Sequence, residues 1–335
     1  MKLAVLSPVA WRTPPRKYGP WEQVASNVAE GMVAKGLEVT LFATGDSITN
    51  AVLEAVCPQG YEETPGADAK VFEAMHISHL MENAERFDII HNHFDFLPLT
   101  YSRLISTPIL TTIHGFSSDK ILDIYKKYRN TAHYASISLA DRSPELNYIA
   151  NVYNGINTDD FTYREKKEDY LLYFGRIHPD KGAHDAINIA KKGGYRLIIA
   201  GFIQDKHYFE ERVKPFINQE DIQFVGNAGP AYRDELLGKA RALLHPIHFD
   251  EPFGLSVAEA MYCGTPVVAY RRGSMSELIL HGETGFLVEN EDEASGKLDD
   301  LNSISPVACH QWAKEKFTNR IMVENYLKVY QKILN

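Results

Sequence analysis

Tyr170-Leu171-Leu172-Tyr173-Phe174, followed by Gly175-Arg176-Ile177-His178-Pro179-Asp180-Lys181-Gly182, is the stretch on which the fold turns. Five apolar residues without polar alternation read as a strand covered on both faces, as parallel sheets require. Gly175 breaks the run, and helical periodicity resumes over Ala183 to Lys192. Downstream, Arg196 to Ala200, Ile222 to Val225, Ala242 to Leu244 and Pro266 to Ala269 repeat the short apolar strand. Upstream the same alternation starts with Leu3 to Leu6, a helix over Glu22 to Lys35 closed by Gly36, and Val39 to Phe42. Asp88 to His91 and Ile109 to Ile113 supply two more strands. The pattern predicts two doubly wound α/β domains facing a central cleft, with the boundary near Asn154 to Lys167. An amphipathic helix over Ile321 to Leu334 has no strand after it.

A chain of 335 residues suits two domains. Apolar residues at 44% and charged residues at 24% match a soluble globular protein. A net charge of −9 excludes general nucleic-acid binding, which needs a basic face. Lys126, Lys127 and Arg129 form a local basic cluster best read as a solvated helix face. Cys57, Cys263 and Cys309 are widely spaced, form no C-x-x-C motif and leave an odd count, so no disulfide framework is expected. No apolar stretch approaches the roughly 18 residues of a membrane span. These features together set the expectation of a cytoplasmic protein with no integral membrane segment.

In doubly wound sheets, ligands bind outside the carboxyl ends of the strands where the strand order reverses. The loop after Phe174 carries Arg176 and Lys181, a planar fork and a point charge suited to a diphosphate. It is neither a Walker loop nor a G-x-G-x-x-G. Glu251 and Glu259 lie eight apart, a spacing shared by Glu22/Glu30, Glu30/Glu38, Glu54/Glu62 and Glu283/Glu291 and therefore uninformative. Their setting differs, because Gly254 opens a helix between them whose N–H groups and dipole favour an anion. Each motif alone is also compatible with an ordinary cap or a pair of solvated loop cations. Tyr18-Gly19-Pro20-Trp21-Glu22 repeats the glycine-before-helix pattern in the first half. His91, His93 and His114 sit at strand ends, where a zinc site is a minor alternative. No D-x-D sequence occurs.

Taken in order, these motifs resemble glycosyltransferase family 4, with its GT-B fold and retaining chemistry. The resemblance also rests on Phe87-Asp88-Ile89-Ile90-His91, Thr112-Ile113-His114-Gly115 and Asn154-Gly155-Ile156-Asn157-Thr158-Asp159-Asp160-Phe161. Gly264 to Ala269, Gly273 to Glu277 and His281 to Val288 complete it, over nearly the whole chain. It implies an acceptor-binding domain over residues 1–156, on which a final helix at 319–335 packs, and a donor-binding domain over 157–318. Arg176 and Lys181 would bind the donor diphosphate, Glu251 the sugar hydroxyls beside the N–H groups of Phe253, Gly254 and Leu255, and Glu259 the ribose. Gly19 would contact the diphosphate, and His114 would sit beside the transferred sugar. Tyr18, Trp21 and His93 are expected at the acceptor. The family usually has two successive glycines where this chain has Gly19-Pro20, and proline offers no N–H to a phosphate.

The expected activity is metal-independent transfer of a glucose- or mannose-type hexose from a UDP- or GDP-sugar to a hydroxyl of a soluble small-molecule or saccharide acceptor. No cofactor is expected. A membrane-lipid acceptor reached by peripheral contact, a non-catalytic nucleotide-sugar binding protein and a zinc hydrolase using the histidines are the alternatives. The sequence leaves oligomeric state open.

Overall fold

The computed structural model describes residues 1–116 and 119–335. It divides into a unit of Met1–Gly155 with Asn319–Asn335 and a unit of Ile156–Thr318.

The first unit is built on a seven-stranded sheet: β1 (Lys2–Leu6), β2 (Glu38–Phe42), β3 (Val52–Glu54), β4 (Ile89–Asn92), β5 (Ile109–Ile113), β6 (His133–Ser136) and β7 (Tyr148–Asn151). Their order is β3-β2-β1-β4-β5-β6-β7, and every neighbouring pair is parallel. The order reverses between β1 and β4. Its main helices are α1 (Pro20–Ala34), α2 (Ala69–Met81) and α3 (Leu122–Tyr128). Pro20 occupies the first turn of α1, where its fixed φ suits the helix and its missing N–H leaves no bond unmade.

The second unit repeats the design with six parallel strands, β8 (Tyr170–Phe174), β9 (Arg196–Ala200), β10 (Ile222–Gly226), β11 (Ala242–His245), β12 (Val267–Tyr270) and β13 (Gly285–Val288). The order is β10-β9-β8-β11-β12-β13, which reverses between β8 and β11. The central strands are buried along almost their whole length, as their apolar runs require. Flanking helices include α4 (Ala183–Gly193), α5 (Pro230–Lys239), α6 (Leu255–Tyr262) and α7 (Pro306–Lys316).

The last helix, α8 (Asn319–Leu334), belongs to the first unit. It buries Met322, Val323, Tyr326, Val329 and Tyr330 and packs on α1 beside Gly31. The chain enters and leaves the second unit side by side: Ile156 N–H donates to Phe317 O at 2.8 Å. Within the first unit, Gly155 N–H meets Met322 Sδ at 3.0 Å, and Asn27 Nδ2 donates to Gly155 O at 2.8 Å. The three cysteines are buried and unpaired. Among the described residues, no helix is long and apolar enough to cross a membrane.

Candidate functional site

In the second unit, the loops after β8 and β11 meet at the point where the strand order reverses. Tyr173 Oη donates to Arg176 O at 2.7 Å and shapes the first loop, while His248 N–H donates to Asp180 O at 2.7 Å and ties the second loop to it. Gly182 closes the first loop with φ +69°, and a Cβ there would lie 1.9 Å from Pro246 O, so only glycine fits. Lys181 Nζ donates to Glu251 Oε2, and the same ammonium stands 4.5 Å over the Phe249 ring. His245 Nε2 lies 3.6 Å from that carboxylate oxygen, an electrostatic contact too long for a formed hydrogen bond. Burial alone would raise the Glu251 carboxyl; the nearby His245 and the Lys181 ammonium outweigh it and hold the group at about 2. Because burial lowers the His245 imidazole itself, the Lys181 ammonium is the lasting positive charge of the pair. Arg176 donates to Gln204.

Glu251 is held from behind by its own backbone. Ser274 N–H donates to Glu251 O at 2.9 Å, and Ser274 Oγ donates to Phe253 O at 2.7 Å. Gly273 makes this approach feasible, because a Cβ there would lie 2.4 Å from the Glu251 backbone. Gly254 caps α6 with φ +91°. Among the described residues, no acceptor meets the N–H groups of Gly254 and Leu255, as is usual for first-turn donors. The Phe253 side chain is core, stacked edge-on to Phe317 at 5.8 Å, so only its backbone faces the loop chemistry. Glu259 is 6% exposed, with Arg233 Nη2 at 3.5 Å. Burial raises the Glu259 carboxyl and Arg233 opposes that rise. An open recess of about 370 Å³, lined by Asp180, His184, Tyr208 and Arg212 among others, lies beside these loops and is not lined by Lys181 or Glu251.

In the first unit, Gly19 caps α1 with φ +149°. The space at this helix start is taken internally, since Glu22 Oε2 lies 3.0 Å from where a Gly19 Cβ would stand. Glu22 Oε1 accepts Trp11 N–H at 3.2 Å. Burial pushes this carboxyl up to about 7, against the pull of the N–H groups of Glu22 and Trp11. The Glu22 carboxyl thus shares this helix start with Gly19. Trp21 stacks on His114, with centroids 5.5 Å apart, and Tyr18 is half-buried. His93 is fully buried and bonds through Nδ1 to His114 Nε2 at 3.0 Å. It has no surface to offer an acceptor, so its expected place in an acceptor pocket is corrected. His91 spends both ring nitrogens on hydroxyls, Nδ1 with Tyr330 and Nε2 with Thr112, each at 2.7 Å. Neither nitrogen is left for a metal, and the zinc alternative loses its first ligand.

Two family models cover most of this architecture. "Glycosyltransferase Family 4" matches residues 21–143 and "Glycosyl transferases group 1" matches residues 156–316. The chain belongs to the family 4-like glycosyltransferases. An uncharacterized glycosyltransferase of Methanocaldococcus jannaschii is 25% identical to it, over 90% of this chain and 89% of that one. The glycogen synthase of Mycobacterium tuberculosis is 23% identical over 85% and 82%. The structure of an Anabaena protein, HepE, in complex with UDP and glucose matches with a TM-score of 0.75 at 18% identity, over 99% of each chain. The glycosyltransferase therefore has the GT-B fold, with its two parallel-sheet α/β domains.

Reading the sequence of this glycosyltransferase missed His245, Arg233 and the folded-back Glu22 carboxyl. His245 carries a usable signal, its place at the carboxyl end of a strand bordering the reversal point. Arg233 and Glu22 are brought to their partners only by tertiary packing.

Proposed function

We propose that this glycosyltransferase moves a hexose from a UDP- or GDP-sugar to a hydroxyl acceptor, with retention at the anomeric carbon and without a metal ion holding the diphosphate. The observation that carries the reading is the Lys181–Glu251 pair at the strand-order reversal, beside the open N–H groups of Gly254 and Leu255. A cation and a helix N-terminus together do for a diphosphate what a metal would do. Arg176, on the same loop, adds a second cation. Glu251 takes the sugar hydroxyls and Glu259 the ribose, both as acceptors rather than as acid–base groups.

When the diphosphate arrives it competes with Glu251 for the Lys181 ammonium, and His245 stays beside the carboxylate. The bond from the anomeric carbon to the phosphate oxygen breaks, and charge grows on the leaving diphosphate. Lys181, Arg176 and the start of α6 stabilise that charge where it develops. The acceptor oxygen bonds to the same face of the carbon, and its proton passes to the leaving phosphate oxygen. In this reading the first unit holds the acceptor, with Tyr18 and Trp21 as contacts and His114 as a polar group. The UDP and glucose of the HepE complex and the glycogen synthase likeness favour a nucleotide-activated hexose. A panel of UDP-, GDP- and ADP-sugars, reading released nucleotide and product configuration with and without chelator, tests the reading. An inverted product or strict dependence on added metal rejects it.

A further inference from the structure

Three histidines of the first unit form a buried row behind one exposed edge. His91, bracketed by Tyr330 and Thr112, packs its ring 4.1 Å from His93. Thr112 Oγ1 in turn lies 2.8 Å from Tyr326 Oη, so two tyrosines of α8 reach this row. His93 bonds to His114, the one member that keeps some exposure, at 8%. Burial lowers all three imidazoles, His91 and His93 far below their ordinary value and His114 to about 3, so each ring is neutral at physiological pH.

A neutral imidazole has one N–H and one lone pair, and the bond between His93 Nδ1 and His114 Nε2 holds a single proton. The remaining nitrogen of His93, Nε2, is buried with no partner among the described residues. If His114 donated, His93 would carry its own N–H on that sealed nitrogen, an orphaned buried donor of the kind folded proteins avoid most strictly. If His93 donates, the sealed nitrogen keeps only a lone pair. The proton then sits on His93 Nδ1, and His114 must carry its own on Nδ1. Among the described residues no partner meets His114 Nδ1.

We propose that His93 is a positioning residue that fixes His114 as the Nδ1–H tautomer, a hydrogen-bond donor to a hydroxyl or phosphate oxygen of the ligand held on this unit. The ligand contact rests on the function proposed above, whereas the place of the proton does not. One chemical consequence is direct. With Nε2 occupied and Nδ1 protonated, His114 has no lone pair to act as a general base, and the acceptor proton must leave by another route.

Histidine-labelled ¹⁵N protein without substrate tests the proton's place through long-range ¹H–¹⁵N spectra, with His114→Asn identifying the signal. The expected result is an Nδ1–H pattern for His114 in the wild type, retained in His93→Asn, whose amide can supply the missing N–H. In His93→Leu the pattern shifts toward Nε2–H, and kcat/KM falls by about two- to tenfold, the worth of one hydrogen bond. An Nε2–H pattern in the wild type, or a pattern untouched by His93→Leu, overturns the proposal. Should the leucine variant fail to fold, the wild-type and asparagine spectra still decide. A correct tautomer with full turnover in His114→Phe, which has no donor, overturns the ligand contact at His114 while leaving the proton's place intact.

Discussion

Lys181 and Glu251 join the loops of two strands, β8 and β11, across the reversal point of the second sheet. Seventy positions separate them in sequence, and neither is placed by its own helix or strand alone. Their contact puts a movable cation against a carboxylate that keeps a second neighbour in His245.

Removing either partner strips charge from the site while leaving both sheets intact. Lys181→Ala is expected to lose roughly 10²–10³ in turnover, the usual cost of one electrostatic contact to a transition state. Glu251→Ala, which removes the acceptor for the sugar hydroxyls, is expected to lose most turnover as well. Released nucleotide measures the loss, and an unchanged circular dichroism spectrum shows that the fold persists. Near-normal turnover in both variants sinks the proposed roles.

The depressed Glu251 carboxyl also has a stability signature. Its folded value of about 2 lies below the ordinary 4.5, so the stabilisation is full above pH 4.5 and is lost as pH falls through about 2. Urea unfolding of wild type and Glu251→Gln should therefore differ most near neutrality and converge toward pH 2. Curves that stay parallel across that range contradict the ion pair.

Glu22 behaves in the opposite sense. Its folded value is raised to about 7, so ionisation penalises the folded state as pH rises from 4.5 through 7. Glu22→Gln, which keeps an acceptor for Trp11 N–H, should be more stable than wild type at pH 8 by on the order of 3 kcal/mol at most. The advantage should vanish below pH 4.5. Thermal melts at both pH values read the difference, and equal melting at pH 8 argues against a buried carboxyl.

The α1–α8 contact is close enough to be tested by volume. A Cβ at Gly31 would stand 2.3 Å from Val323 Cγ2, so Gly31→Ala should cost about 1–3 kcal/mol through overpacking. Val323→Ala in the same chain should recover part of that loss. Additive destabilisation by the two changes would mean that the helices do not meet there.

Legibility followed the physics of burial. Strands such as β1, β8 and β9 announce themselves because parallel central strands are apolar on both faces. By contrast, β3, with Val52 62% exposed, and β7, half-buried throughout, carry no such run. Helix α2 was missed because Val71 and Met75 face outward while Ile77 and Leu80 face inward, which erases the apolar stripe. At the site, Arg176, Lys181 and Glu251 were legible from their loops after strands. The Glu22 carboxyl and the burial of His93 were not, since both depend on what packs against them from distant segments.

The return of α8 to the first unit also sets an order of events during synthesis. Residues 156–318 form one uninterrupted block, whose whole chain is made before α8. The first unit needs residues 319–335 before Tyr326 and Tyr330 can satisfy Thr112 and His91. Any chain that lacks residues 319–335 therefore leaves Thr112 and His91 without the Tyr326 and Tyr330 hydroxyls, although both sit on strands of the first sheet.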